Sequence, residues 1–430
     1  MSKRRHITPS LLAATPDGQI VEHPDLLMVV RRGRELALPR PDELIPLPEG
    51  SDLFLLEGRS AVGLDPESGE AAVLDDLAVA AFVCPAHTLC ATAAYATREG
   101  APVLPLFAYG AVGFFEDRFY VAAKRVDTDM RQVFTNIDPE RIRRGAEQLL
   151  KRFPKNRLVR HLGGCALTYS CPAARNLALG RFECPLPTAQ SCNASCLGCI
   201  SAQPPDSGFC ATQDRITFRP TPEEIVEVMQ AHGAKAKKPI FSFGQGCEGE
   251  PLTEAKTIAS AVRLFRDQGG QGTVNVNTNG SLPATMAPLA AAGLDSIRVS
   301  LNSARPEAYA AYYRPRGYSF EDVRETIREA KAHGLHVSLN FLYFPGFSDS
   351  EAEYDALAGL VESTGLDFIQ MRNLNLDPEL YLATMEQALG EEAVSGPSMG
   401  LANFMKRLKK ACPWIGFGYF NPYLEPDRPR

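Results

Sequence analysis

Three cysteines, Cys192, Cys196 and Cys199, stand inside the run Ser191–Ile200, separated by three and then two residues. Thiolates are soft ligands and select zinc, Cu(I) or iron–sulfur clusters. A lone tetrahedral zinc usually pairs its ligands as C-x2-C and needs a fourth close by, whereas a compact loop with three thiols matches a cubane. Three protein ligands on a four-iron cluster leave one iron open to a second molecule. The same cysteines are therefore the candidate metal ligands and the candidate catalytic centre.

Rigid elements must hold such a loop. Just ahead of it, Phe182–Thr188 is a short apolar stretch ending in turn residues, as a strand feeding a loop does. Beyond Cys199, strands are expected at 239–243, 273–277, 296–301, 336–342 and 367–371. Helices are expected between them, at 221–229, 253–268, 282–292, 319–333 and 349–363. With the strand before the cysteines, that makes six strands in alternation with helices, the pattern of parallel βαβ units. A doubly wound open sheet gives the same alternation. In either arrangement ligands gather at the C-terminal strand ends.

The CxxxCxxC spacing, followed by this alternation, resembles the radical S-adenosylmethionine (SAM) superfamily from about Cys184 to the C-terminus. The resemblance implies a partial (βα)6 TIM-like barrel. It also implies a [4Fe-4S] cluster whose open iron is chelated by the amino and carboxylate groups of SAM. Electron transfer, from a donor such as flavodoxin or ferredoxin, then cleaves SAM to a 5′-deoxyadenosyl radical. Gly249-Glu250-Pro251 resembles the glycine-glutamate motif that holds the SAM amino group, although Cys247 and Glu248 stand where further glycines are usual. Asn277 and Asn279 fall in a stretch ending "TNG", while Ser300 and Asn302 resemble ribose and carboxylate contacts. The turn at Pro345-Gly346 resembles an adenine-side loop, and the nearby Ser348 and Glu351 fit a helix capping box.

Substrate contacts are less specified. Gln370 and Arg372 share one face of the last strand, where a buried guanidinium is costly unless it meets an anion. Arg314, with Arg316, sits in a loop that suits a carboxylate or phosphate.

The remaining chain frames this core. A length of 430 residues leaves room for more than one core, and residues 1–130 carry short β-type runs among turns. Strands are expected there at 26–30, 52–56, 71–74, 103–109 and 118–123. Residues 131–181 form a helical, cysteine-containing linker, with a helix at 138–153. The core spans 182–380, and 381–430 gives a final helix and an aromatic tail. Cys165, Cys171 and Cys184 are candidate ligands for a second iron–sulfur cluster, and Cys84, His87 and Cys90 suggest a partial metal site.

A net charge of −6 with interspersed signs argues against general nucleic-acid binding. The basic start Met1–His6 is followed by a run too short and interrupted for a secretory segment, and no stretch is long enough to span a membrane. Eleven cysteines clustered only at the metal loop suit a reducing compartment, so a cytoplasmic location is expected. The expected function is hydrogen abstraction from an unidentified small molecule or peptide, in an oxidoreductase-type radical SAM enzyme. A radical SAM RNA methyltransferase using Cys412 as methyl carrier is the alternative. An iron–sulfur scaffold or electron carrier would leave Gly249, Glu250 and Asn302 without a purpose.

Overall fold

The computed structural model describes residues 7–425; the basic start Met1–His6 lies outside them. Two sheets organise the chain. The first is antiparallel and 12-stranded. Its strands are β1 (Ser10–Ala14), β2 (Ile20–Met28), β3 (Val30–Arg32), β4 (Glu35–Ala37), β5 (Leu44–Pro46) and β6 (Asp52–Leu64). They continue with β7 (Ala71–Phe82), β8 (His87–Leu89), β9 (Thr92–Ala93), β10 (Tyr95–Thr97), β11 (Gly110–Phe115) and β12 (Arg118–Arg125). β1, wholly buried, pairs with β2, β7 and β11. The strand expected at 103–109 is a loop. Pro105 has no N–H for a ladder, and the Leu104 N–H donates to the Asp377 carboxylate instead.

Three helices follow: α1 (Pro139–Arg152), α2 (Arg157–Leu167) and α3 (Pro172–Leu179). Asn156 caps α2 by accepting from Val159 N, and its amide donates to the Glu224 carbonyl, which ties α2 to the next helix. The second sheet is wholly parallel. Its strands are β13 (Glu183–Pro185), β14 (Ile240–Phe243), β15 (Thr273–Thr278), β16 (Ser296–Leu301), β17 (His336–Tyr343), β18 (Phe368–Asn373) and β19 (Gly416–Gly418). The helices between and after them are α4 (Pro222–Gly233), α5 (Ala255–Asp267), α6 (Met286–Ala291), α7 (Pro306–Tyr313), α8 (Phe320–Ala332), α9 (Glu351–Thr364), α10 (Pro378–Leu389) and α11 (Leu401–Ala411). The α/β class, the parallel sheet and the β-rich N-terminal region are as expected from sequence. The parallel sheet has one strand more than the six expected. β19 pairs in parallel with β18, so the aromatic tail extends the sheet rather than only covering it. Two glycines in a three-residue strand carry almost no β signal.

Period-two alternation sorts the parallel strands. Val274, Val276, Ile297, Val299, Val337, Leu339 and Ile369 are fully buried against the helices. The intervening positions are polar: Asn275, Asn277, Arg298, Ser300, Ser338, Asn340 and Gln370. The register sets Asn277 beside Arg298, and Ser300 beside Asn340 beside Gln370. The sheet thus turns one apolar face outward and one polar face inward.

The antiparallel sheet docks on the C-terminal ends of β17 and β18. Thr88 Oγ1 donates to the Met371 carbonyl at 2.6 Å, and Leu89 N donates to Asn373 Oδ1 at 2.8 Å. Arg59 meets Asp377 at 3.1 Å with both side chains almost fully buried. Gly33 N donates to the Pro345 carbonyl, and a Cβ on Gly346 would stand 2.0 Å from Gly33 N. The Pro345-Gly346 turn therefore packs against the N-terminal sheet. The cap of α9 also differs from expectation: Ser350, not Ser348, accepts from the Glu353 N–H, while Ser348 Oγ accepts from Phe344 N.

Glu353, in the first turn of α9, is 1% exposed and meets Arg305 only at 3.6 Å. Burial pushes its carboxyl up to about 7 from 4.5. Between those values the folded chain holds a proton that the unfolded chain has lost, so stability must fall as pH rises through that window. We expect Glu353→Gln to flatten this part of the curve of denaturation midpoint against pH. An unchanged slope in the variant would assign the effect elsewhere.

Candidate functional site

The cluster loop leaves β13 and is held by two other loops. On one side Gly249 N donates to the Ala189 carbonyl at 2.7 Å and Glu250 N to the Ser191 carbonyl at 2.9 Å. A Cβ on Gly249 would fall 1.9 Å from Ser191 O, so only glycine lets these backbones meet. On the other side Leu197 N and Ser195 N donate to the carbonyls of Tyr312 and Tyr313. Arg316 reaches in to donate to the carbonyls of Cys192 and Ala194.

Held in this way, Cys192, Cys196 and Cys199 line one cavity of about 710 Å³ at the C-terminal end of the parallel sheet. Burial pushes the Cys192 thiol up and the Cys196 thiol well up. Sulfur desolvated to this degree ionises only beside a positive partner, which a metal supplies. Arg215 adds a charge of its own, with Nη2 3.5 Å from Cys199 Sγ.

Two carboxylates, Glu250 and its near neighbour Glu248, line the cavity. Glu248 accepts from Thr188 N, Ala189 N and Gln245 N, closing the corner between β13 and the cluster loop. Glu250 accepts from Leu252 N, Thr278 Oγ1 and Asn279 N, which binds it to the end of β15. Burial pushes each up to about 7 despite these donors. Each retains acceptor capacity for a cation.

Of the other sequence candidates, Asn277, Asn279, Ser300 and Arg372 line the same cavity. Asn279 Nδ2 donates to Asn193 Oδ1 in the cluster loop at 2.8 Å. Four candidates lie elsewhere. Asn302 is buried and donates to the Ala308 carbonyl and Tyr381 Oη, among helices behind the sheet. Gly346 belongs to the contact with the N-terminal sheet. Arg314, the left-handed C-cap of α7, faces solvent, and its neighbour Arg316 is the one that grips the loop. Gln370 is fully buried between Arg298 and Asn421, supporting the wall rather than facing the space.

The cysteine pairings also differ. Cys184 is fully buried on β13 in the main apolar core, whereas Cys165 packs in a smaller apolar cluster. Cys165 instead gathers with His161 and Cys247. His87 turns Nδ1 towards Cys84 Sγ at 3.4 Å, while Cys90 packs into the main apolar core. Cys412 caps α11, fully buried in that core. Sequence reasoning missed Arg215, Arg298, Asn421 and the contributions of Phe82 and Gln132 to the cavity wall. Arg298 alone carried a signal, being a charged residue at an inward position of an otherwise apolar-alternating strand.

Residues 186–357 match the family model described as the Radical SAM superfamily. This segment is a radical SAM domain. Across 207 residues the chain is 30% identical to the GTP 3′,8-cyclase of Peptoclostridium acidaminophilum, covering 47% of this chain and 58% of that protein. It is 24% identical over 207 residues to the FeMo cofactor biosynthesis protein NifB of Azotobacter vinelandii, covering 44% and 40% of the two chains. The chain thus spans less than two thirds of either relative. A radical SAM methyltransferase from Sphaerobacter thermophilus superposes with a TM-score of 0.39 at 15% identity, covering 56% of this chain and 67% of that one.

The radical SAM family uses a [4Fe-4S] cluster and SAM, and the residues present fit both. Three thiols lining one cavity supply soft ligands, and that cavity falls in the range of small-ligand sites. Among the described residues no helix is long and apolar enough to cross a membrane.

Gly249→Ala should leave all three thiols in the chain yet part the cluster loop from the Glu250 loop. After anaerobic reconstitution we expect iron and sulfide per chain to fall well below wild type. Wild-type iron content in this variant would show that the close backbone contact is dispensable.

Proposed function

We propose that this protein is a radical SAM enzyme acting on an anionic substrate. Cys192, Cys196 and Cys199 would hold the cluster, and Glu250 would accept the SAM ammonium beside it. Asn277, Asn279 and Ser300 would line the nucleoside. When bound, the cluster and SAM together supply one-electron cleavage to a 5′-deoxyadenosyl radical, which abstracts hydrogen; the protein supplies binding, orientation and exclusion of water. A reductant such as flavodoxin or ferredoxin would deliver the electron.

The observation that carries the substrate class is a pair of guanidiniums on the cavity wall answered by neutral groups. Arg298 donates to Gln370 Oε1 at 2.8 Å, and its buried Nε has no hydrogen-bond partner among the described residues. Arg372 donates to the Tyr419 carbonyl at 3.2 Å and stacks over the Tyr419 ring at 4.0 Å. Burial, and then the Arg372 charge, pull Arg298 down to about 10, and it stays charged at neutral pH. Glu183 also lines the cavity and favours the Arg298 charge, but it forms no salt bridge with it among the described residues. Two partly desolvated cations without a paired anion are costly, and a carboxylate or phosphate of the substrate offsets that cost. Phe82, Gln132, Phe420 and Asn421 wall the space, so the N-terminal sheet and the C-terminal tail both shape what enters.

Anaerobic protein with dithionite and SAM should release 5′-deoxyadenosine, and Cys196→Ala should abolish release. For the substrate class, a metabolite extract is split on an anion exchanger. The retained fraction should stimulate 5′-deoxyadenosine formation by wild type and not by Arg298→Met/Arg372→Met. Stimulation by the unretained fraction alone would overturn the anion.

Glu250 gives a pH signature. With its carboxyl near 7, SAM affinity should fall about tenfold per unit as pH drops below that value, because the ammonium needs the ionised form. Glu250→Gln should bind weakly at every pH, and titration calorimetry under anaerobic conditions reads both.

A further inference from the structure

The trio His161, Cys165 and Cys247 is left unused by the chemistry above. His161 and Cys165 are four residues apart on α2, which puts them on one helix face. Cys247 comes from the loop after β14 that also carries Glu248 and Glu250, at a position where glycine would resemble the family motif. His161 Nε2 lies 3.4 Å from Cys247 Sγ and 3.5 Å from Cys165 Sγ. All three ligand atoms fall within 4.8 Å of one another, with both cysteines buried and the histidine partly so. Cys165 and Cys247 also face the cavity that holds the three cluster cysteines.

These separations discriminate between kinds of metal centre. Zinc bonds of about 2.3 Å to sulfur and about 2.0–2.1 Å to nitrogen, opened at the tetrahedral angle, give a sulfur–nitrogen edge of about 3.5 Å. Both observed edges match it. A cubane gives each ligand its own iron and spreads the ligands around the corners. Here the three atoms instead lie within 4.8 Å of one another, close enough to share one ion.

We propose that His161, Cys165 and Cys247 bind a single zinc-class ion, with water at the fourth position on the cavity side. Both cysteines coordinate as thiolates, any thiol proton passing to solvent, and His161 coordinates as neutral imidazole, with no change of oxidation state. The ion fastens the linker helix α2 to the loop bearing Glu248 and Glu250. Cys171, whose N–H donates to the Cys165 carbonyl, lies beside the site and outside the trio. Neither the cubane nor SAM supplies a ligand to the ion, so zinc content is read apart from iron content and from SAM cleavage.

The test uses the full chain, purified anaerobically with zinc in the medium and passed over a weak chelator. Wild type and the Cys192→Ala/Cys196→Ala/Cys199→Ala variant should each retain about one zinc per chain, with an X-ray absorption fit of two sulfurs and one imidazole nitrogen. Cys165→Ser/Cys247→Ser should lose the zinc and keep the iron of the other site. X-ray absorption on wild type reads the ligand set even where a variant fails to fold. Wild type without zinc would overturn the site, as would zinc with other ligands. An iron–sulfur chromophore in the variant lacking Cys192, Cys196 and Cys199 would assign the trio to a cluster instead.

Discussion

Two backbone hydrogen bonds, from Gly249 N and Glu250 N to the carbonyls of Ala189 and Ser191, join the loop that carries the thiols to the loop that carries the carboxylates. Neither loop belongs to a regular element, and each would expose unsatisfied backbone in the floor of the cavity if it stood alone. Zipped together, they satisfy those groups. They also fix the distance between the soft ligands and the anionic side chain. The missing Cβ at Gly249 makes the approach possible, and Arg316 and the tyrosine carbonyls fix the loop from its other side.

The polar lumen follows from a second constraint. A parallel sheet wrapped by helices must be apolar where helices pack, and period-two alternation leaves the opposite face free to be polar. This chain fills that face with amides, hydroxyls and two guanidiniums: Arg298 donates to Gln370 across β17, Asn277 to the Gly244 carbonyl, and Arg372 to the Tyr419 carbonyl of the C-terminal tail. Asn421 illustrates the economy: it accepts from Gln370, and its own amide donates to Asn277 and Ser242. The side chain that positions the wall thus comes from outside the regular barrel, which makes the tail part of the site.

The N-terminal sheet is joined to the same end of the barrel by buried polar contacts rather than by a flexible tether. The Arg59–Asp377 pair is nearly dry, and Asp377 also caps α10 and holds Leu104 N. A carboxylate with that many donors is tolerable in the interior, whereas one without them is not. The sheet brings Phe82 to the cavity, so the shape of that space is set partly by residues far from the cysteines in sequence.

The chain of letters determined what depends on local chemistry and period. Three cysteines at fixed spacing specify soft-metal ligation, Gly249-Glu250 a close backbone approach with an acceptor beside it, and the strand–helix alternation a parallel sheet. Capping signals set most helix starts, as at Thr221 of α4. Tertiary structure alone decided which polar residues share a space. Asn302, Gly346, Arg314 and Gln370 have suitable types on the parallel strands or in the segments that follow them. Yet their side chains or backbones are turned to helices, to the N-terminal sheet, to solvent or to the wall, because direction at a strand's end is set by what packs there. The trio of His161, Cys165 and Cys247 became visible only in space, since Cys247 is many residues from the other two and no local pattern records a distance between them.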